Sequence, residues 1–159
     1  PWTPDNMVVR VSIPQYNEPD PAFMELLDRV QQDVSVTRVI GPEDVYDPEI
    51  VLFLRGVKGD EDGKAHFLYV HKDGSADYTT YDAAVLNRGV RWMVNHDDWK
   101  SMGMVLPATA EPEGYIAEKK KGNVRILPGK ETFRANVTVG YLAPGEAEQV
   151  KQKIETVMK

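Results

Sequence analysis

The chain has 159 residues, enough for one domain around a single core. It carries 19 Lys+Arg against 25 Asp+Glu, and a net charge of −6 argues against a protein that tracks a phosphate backbone. Cysteine is absent, which excludes disulfide scaffolds, thiolate nucleophiles and cysteine–zinc sites, while 42% hydrophobic residues supply a packed core.

No apolar run reaches the ~20 residues that span a bilayer. No signal peptide is visible. A cytoplasmic location is expected, although a cysteine-free chain folds equally well in the periplasm. The chain opens at Pro1 in an irregular Pro-Trp-Thr-Pro stretch. That opening reads as a processed terminus or as the cut edge of a longer protein.

In chain order, residues 7–13 read as a strand, because Val9, Val11 and Ile13 alternate with Val8, Arg10 and Ser12. Pro14 stops it, having no N–H for a ladder. A loop leads to Asp20, a good N-cap, and Pro21 suits the first helical turn. Phe23, Leu26, Leu27 and Val30 then form one apolar helical face. The β-branched run 34–40 predicts a second strand.

Residues 50–57 are nearly all apolar, which predicts a strand buried on both faces. Two Asp-Gly turns follow, Glu61-Asp62-Gly63-Lys64 and Lys72-Asp73-Gly74-Ser75. Tight Asp-Gly hairpins place both central residues at positive φ. They predict a β-meander with strands at 65–71 and 76–81. Residues 82–89 are irregular, 90–95 read as a strand, and Asp97-Asp98-Trp99-Lys100 as a turn. Strands at 102–106, 123–127 and 132–142 complete the β set, the last two joined at Pro128-Gly129. Residues 144–159 form a helix with a stripe of Ala147, Val150, Ile154 and Val157. The expected fold class is mainly β: a β-sandwich with two flanking α-helices, as a single domain over 1–159.

Chemistry-bearing residues are few. Of three histidines, His66 and His71 read as surface or hairpin-end residues. His96 follows Arg91, Trp92 and Asn95 and precedes Asp97, Asp98 and Trp99. An aromatic platform beside such polar groups binds a polyol, since sugar C–H faces stack on indole and hydroxyls take charged hydrogen bonds. Glu111-Pro112-Glu113 is the second candidate, two carboxylates in a segment that proline keeps extended. The Asp60–Asp62 and Asp73–Asp77 acids lack the glycine and glutamate spacing of a calcium loop. Lys119-Lys120-Lys121-Gly122 reads as a solvated turn. The Asn136-Val137-Thr138 sequon falls within a predicted strand. A phosphate-binding glycine loop and a Gly-x-Ser-x-Gly elbow are both missing. An amine base at Pro1 is not expected, because the first strand starts only at Met7.

Gly103-Met104-Val105-Leu106, Glu111-Pro112-Glu113, the strand 123–127 and Pro128-Gly129-Lys130-Glu131-Thr132-Phe133 together resemble the end of galactose-mutarotase-like (aldose 1-epimerase) proteins. The likeness covers residues 103–142. Tyr46-Asp47 resembles the pair that sets a sugar-contacting aspartate ahead of a strand. The resemblance implies part of a β-supersandwich, its C-terminal half, with a sugar in a cleft. In the register that aligns Pro112-Glu113, the family's base glutamate falls on Pro107, which can neither accept nor donate a proton.

The expected function is therefore an aldose 1-epimerase-like, carbohydrate-binding domain. Glu111 or Glu113 would replace the missing base, with His96 as catalytic partner, and Asp47, Arg91, Trp92 and Asn95 would hold the sugar. Epimerisation would open the ring, with one group taking the anomeric proton and another protonating the ring oxygen. The alternative is a non-catalytic carbohydrate-binding or structural β-domain. Neither cofactor nor metal is expected. The expected partners are a sugar-like small molecule and either a second copy of the chain or a second polypeptide supplying the N-terminal half. Nucleic acid and membrane are not among them.

Overall fold

The computed structural model of the protein describes residues 7–10, 46–95, 100–102 and 105–158. The apolar run 50–54 lies in the longest strand. Strands β1 (Met7–Arg10), β2 (Tyr46–Arg55), β5 (Arg88–Asn95), β6 (Lys100–Met102) and β7 (Leu106–Ala108) form one antiparallel sheet. Its order is β1-β2-β5, with β6 and β7 following each other along the far edge of β5. Strands β3 (Lys64–Val70), β4 (Ala76–Asp82) and β8 (Val137–Leu142) form a second antiparallel sheet, in the order β3-β4-β8. The helices are α1 (Tyr115–Lys121) and α2 (Pro144–Met158). No described helix is long and apolar enough to cross a membrane. The described residues are thus mostly β, as the strand patterns predict; of the two helices α2 is the one expected at 144–159, and α1 has no counterpart in the sequence reading. The helix expected after Asp20, the strand 34–40 and the turn residues 97–99 lie outside the described residues.

Burial on both faces near the end of β2 follows the apolar run 50–54. Phe53 and Leu54 are neighbours, and both are buried. Phe53 lies opposite Val90, and Trp92 packs on that pair. Leu54 lies opposite Gly89 on the other face, where a Cβ at position 89 would meet Val105 Cγ2 at 3.0 Å and Leu54 Cδ1 at 3.2 Å. Glycine is therefore the residue that lets β2, β5 and the Val105 segment close together.

Both Asp-Gly turns form, by a different geometry from the one expected. Only the glycines take positive φ, 74° at Gly63 and 85° at Gly74. Asp60 N–H donates to the Lys64 carbonyl (2.9 Å) and Gly63 N–H to that of Asp60 (2.9 Å). The same pattern recurs between His71 and Ser75 (2.8 Å) and between Gly74 and His71 (3.0 Å). Each is a type I turn closed by one left-handed glycine, so Asp62 and Asp73 keep ordinary φ. The second turn joins β3 to β4. The first does not make a meander with β2, since β2 pairs with β1 and β5, and the chain changes sheets between Arg55 and Lys64.

On one face of the β3-β4-β8 sheet, Ala65, Phe67, Thr79 and Tyr81 are buried, and the Phe67 and Tyr81 rings stack at 5.7 Å. Helix α2 lies against β3 and β8 on the face that bears His66, with Ala147 buried. Its start is a half capping box: the Glu146 carboxylate, three residues on, accepts the Ala143 N–H at 2.9 Å.

Three expectations downstream are corrected. Residues 123–127 form no strand, and β8 begins at Val137 instead of 132. The partner strand explains the late start: β8 pairs on β4 only as far as Tyr81↔Val137, and β4 then turns away at Asp82, whose carboxylate caps the turn at Ala84 N (2.9 Å). The lysine run at 119–121 is not a solvated turn but the last turn of α1, ended by Gly122 at φ 76°. Lysines there complement the negative end of the helix dipole.

Candidate functional site

Glu111, Glu113 and α1 form a charged knot at one end of the first sheet. The Arg55 guanidinium donates to both Glu111 oxygens, through Nε to Oε1 and through Nη2 to Oε2 at 2.8 Å. Lys121 Nζ donates to Glu111 Oε2 (2.6 Å), to Glu118 Oε1 (2.7 Å) and to Glu113. Glu118 Oε2 also accepts the Glu111 N–H (2.8 Å) and the Asn123 amide (2.8 Å), tying α1 to the acidic loop. The Glu111 side chain has no exposed surface. Arg55 first, then Lys121, hold its pKa down to about 2 against the upward pull of burial. Burial raises the pKa of Glu118, and Lys121, the Glu111 N–H and Asn123 outweigh it, so the net shift is downward.

This arrangement bears directly on acid–base chemistry. A carboxylate held by two cations is a weak base and stays ionised near neutrality. The carboxylates of Glu111, Glu113 and Glu118 lie within 4.8 Å of one another, a spacing compatible with a metal ion. The ammonium of Lys121 already sits among them and supplies the cation. Pro107 is on β7, opposite Gly89.

The proposed sugar-contacting residues are dispersed. Arg91 and Trp92 are neighbours on β5 and so lie on opposite faces, a correction to their grouping as one platform. Arg91 is buried, and burial pulls its pKa down to about 10. Trp92 packs on Phe53 and Val90. Asp47 and Asn95 do approach along the backbone: Tyr46 pairs with Asn95, and the β2–β5 register slips between Tyr46 and Ile50. Such bulges often re-aim residues beside binding sites. His96 lies outside the described residues. The acidic knot attaches at the Arg55–Arg88 end of the sheet, and Asn95 is seven residues along β5 from Arg88, roughly 23 Å at strand rise. The glutamates and Asn95 therefore do not share a site.

Two constellations emerge that the sequence reading passed over. In the first, Asp60 sits under the turn it caps. Its Oδ1 accepts the N–H of Asp62 (3.0 Å) and Lys64 (2.9 Å), and its Oδ2 meets Lys153 Nζ and, at 2.8 Å, His66 Nε2. A carboxylate only accepts, so Nε2 donates, and Nδ1 lies 2.7 Å from the Tyr78 hydroxyl. Lys153 and then His66 depress the Asp60 pKa far below the usual range. His66, with a side chain 8% exposed, is thus a buried hydrogen-bond partner of Asp60 and not the surface histidine expected.

The second lies at the His71 end of the β3-β4-β8 sheet, on the face that also bears Phe67 and Thr79. Tyr69 pairs with Asp77, and Asp77 with Tyr141, so the three side chains share one face in a single cross-strand row. His71 completes the row. Its ring meets Tyr69 edge-on at 5.1 Å and stacks with Tyr141 at 6.5 Å, and its Nε2 lies 3.2 Å from Asp77 Oδ2. Tyr141 is 65% exposed and Asp77 46%, so aromatic faces, a carboxylate and an imidazole are presented together to solvent. The turn register makes the Tyr69–Asp77 half legible in the sequence. Tyr141 arrives from β8, 64 residues beyond Asp77, and no local pattern announces it.

Neither a protein family, nor a curated protein, nor a solved structure matches the chain.

Proposed function

We propose that this chain is a carbohydrate-binding β-domain of the mutarotase-like kind that residues 103–142 resemble, with its two sheets facing one another as a sandwich. The observation that carries the reading is the row Tyr69–Asp77–Tyr141 with His71. Exposed tyrosine faces stack on the C–H faces of a sugar ring, and the carboxylate beside them accepts its hydroxyl protons. Binding without epimerisation is the favoured form. Glu111 is spent on Arg55 and Lys121, and the position of the family's base is Pro107. Asp47 and Asn95, close along the backbone, are the second place where a polyol could be held.

The test is calorimetric titration of a panel of mono- and oligosaccharides, with polarimetry of mutarotation alongside. The expected result is a saturable sugar signal that Tyr141→Ala weakens about tenfold, a loss in the range of one stacking contact. Mutarotation at the uncatalysed rate is expected in the same samples. A chain that binds no sugar on the panel, or binds equally well after both Tyr141→Ala and Asp77→Asn, overturns the reading. A mutarotation rate that rises with protein concentration restores the epimerase.

A further inference from the structure

Charge is unevenly spread along the chain. Residues 119–134 hold six of the 19 Lys+Arg and one of the 25 Asp+Glu. Lys121 is taken up by the acidic knot, while Lys119, Lys120, Arg125, Lys130 and Arg134 form no ion pair among the described residues. Within this stretch the chain doubles back. The Arg125 guanidinium lies 4.8 Å from the centre of the Phe133 ring, and its Nη2 donates to the Val85 carbonyl at 3.3 Å. Between these two limbs the Glu131 N–H donates to the Pro128 carbonyl at 3.2 Å. Lys130 turns the chain there at φ 72°, where glycine would be the unstrained residue. Every residue from 125 to 136 is exposed, Ile126 to 76% and Leu127 to 52%.

We propose that the loop 125–134 docks on an anionic phospholipid surface, with Ile126 and Leu127 entering the boundary between headgroups and acyl chains while Arg125, Lys130 and Arg134 meet the phosphates. Charge and shape select this occupant. Cations flanking exposed aliphatic side chains match a partner that is anionic at its surface and apolar just beneath. A peptide partner would bury its anchors in a groove, whereas this loop is exposed throughout and a Cβ at Gly129 meets nothing within 4 Å. Single-stranded nucleic acid stacks its bases on aromatic faces, and the loop's one aromatic ring, Phe133, already carries Arg125. The remainder of the chain is acidic, but its repulsion is screened beyond roughly 8 Å at physiological salt, so contact through one exposed loop is permitted. The lack of a membrane-spanning run, from which no membrane partner is expected, does not bear on a loop that rests on the surface. The claim is independent of the sugar-binding reading, since it uses none of the residues of the tyrosine row.

The experiment is co-sedimentation of the full chain with vesicles of phosphatidylcholine alone and of phosphatidylcholine mixed with phosphatidylserine, at low and high salt. It compares the wild type with two loop variants, Ile126→Ser/Leu127→Ser and Lys130→Gln/Arg134→Gln. A third variant, Lys72→Gln/Lys151→Gln, removes the same charge away from the loop. Expected are binding to the phosphatidylserine vesicles that weakens with salt, little binding to phosphatidylcholine alone, a loss of about tenfold or more in affinity for each loop variant, and near wild-type binding for the third. The proposal is overturned by a chain that binds neither vesicle, by equal binding to both, by binding indifferent to Ile126→Ser/Leu127→Ser, or by an equal loss in Lys72→Gln/Lys151→Gln. Binding to polyglutamate or to an oligouridylate without binding to vesicles assigns the loop to an acidic polymer and equally overturns it.

Discussion

Glu111 shows how a residue's type is decided by its neighbours. As one of two carboxylates flanking Pro112, it had the pattern of an acid–base group. Placed beside Arg55 and Lys121 with no solvent contact, it becomes a fixed anion. Replacing it with glutamine leaves two cations poorly paired, and we expect Glu111→Gln to cost about 2–3 kcal/mol in a urea titration near neutral pH. The pH dependence has a definite sign. A pKa lowered from 4.5 to about 2 on folding stabilises the native state above the unfolded pKa, and that contribution disappears as pH falls between those values. Glu111→Gln should therefore flatten the fall of stability with acidification, and an unchanged slope would remove the carboxylate from the account. Arg91 carries the converse lesson: its charge suggested a ligand contact, yet it sits in the interior on the face opposite Trp92.

At the scale of elements, turns and helix docking hold the two sheets' local geometry. Gly63 and Gly74 occupy equivalent left-handed positions, but their surroundings differ. A Cβ at position 63 meets nothing within 4 Å, whereas one at 74 meets Pro144 Cβ at 3.4 Å. Gly63→Ala should cost about 1 kcal/mol through backbone strain alone. Gly74→Ala should cost at least that, since ordinary contact with Pro144 relieves none of the strain. Denaturant midpoints of the two variants check the comparison. Helix α2 is tethered by Lys153 to Asp60, and the two partners are unequal. Lys153 is 41% exposed, and Asp60, 3% exposed, also caps the turn and holds His66. Lys153→Met should cost about 1 kcal/mol or less. Asp60→Ala should cost more, about 2 kcal/mol, because two turn N–H groups and the part-buried His66 lose their acceptor together. Equal losses at the two positions would mean that the turn cap and His66 contribute nothing.

For the molecule as a whole, Glu111, Glu118 and Asp60 all carry lowered pKa values in the folded state. The unfolded chain binds more protons in the acid range, so stability must fall as pH drops from about 5 toward about 2. Urea midpoints across that range test it, and a flat profile would contradict the ion pairs.

Much of this architecture was legible in the sequence. Alternation and Asp-Gly punctuation located β3, β4 and the turn between them within a residue or so, the apolar run marked β2, and the stripe from Ala147 to Val157 marked α2. These are local signals, written in the period of one element. What they could not reach was partnership. Nothing near β2 says that it leaves β3 for β5, nothing near residue 132 says that β4 runs out at Asp82, and nothing near Glu111 announces Arg55, 56 residues earlier. The site divides in the same way. Candidate side-chain types were visible, but their company was not, so the glutamates became a structural knot while Tyr69, His71, Asp77 and Tyr141 were assembled from three segments. The sequence alone thus determined where the chain extends, turns and coils, because those choices rest on neighbouring residues. Only the tertiary structure decided which edges pair and which charges meet, because those depend on contacts between residues far apart along the chain.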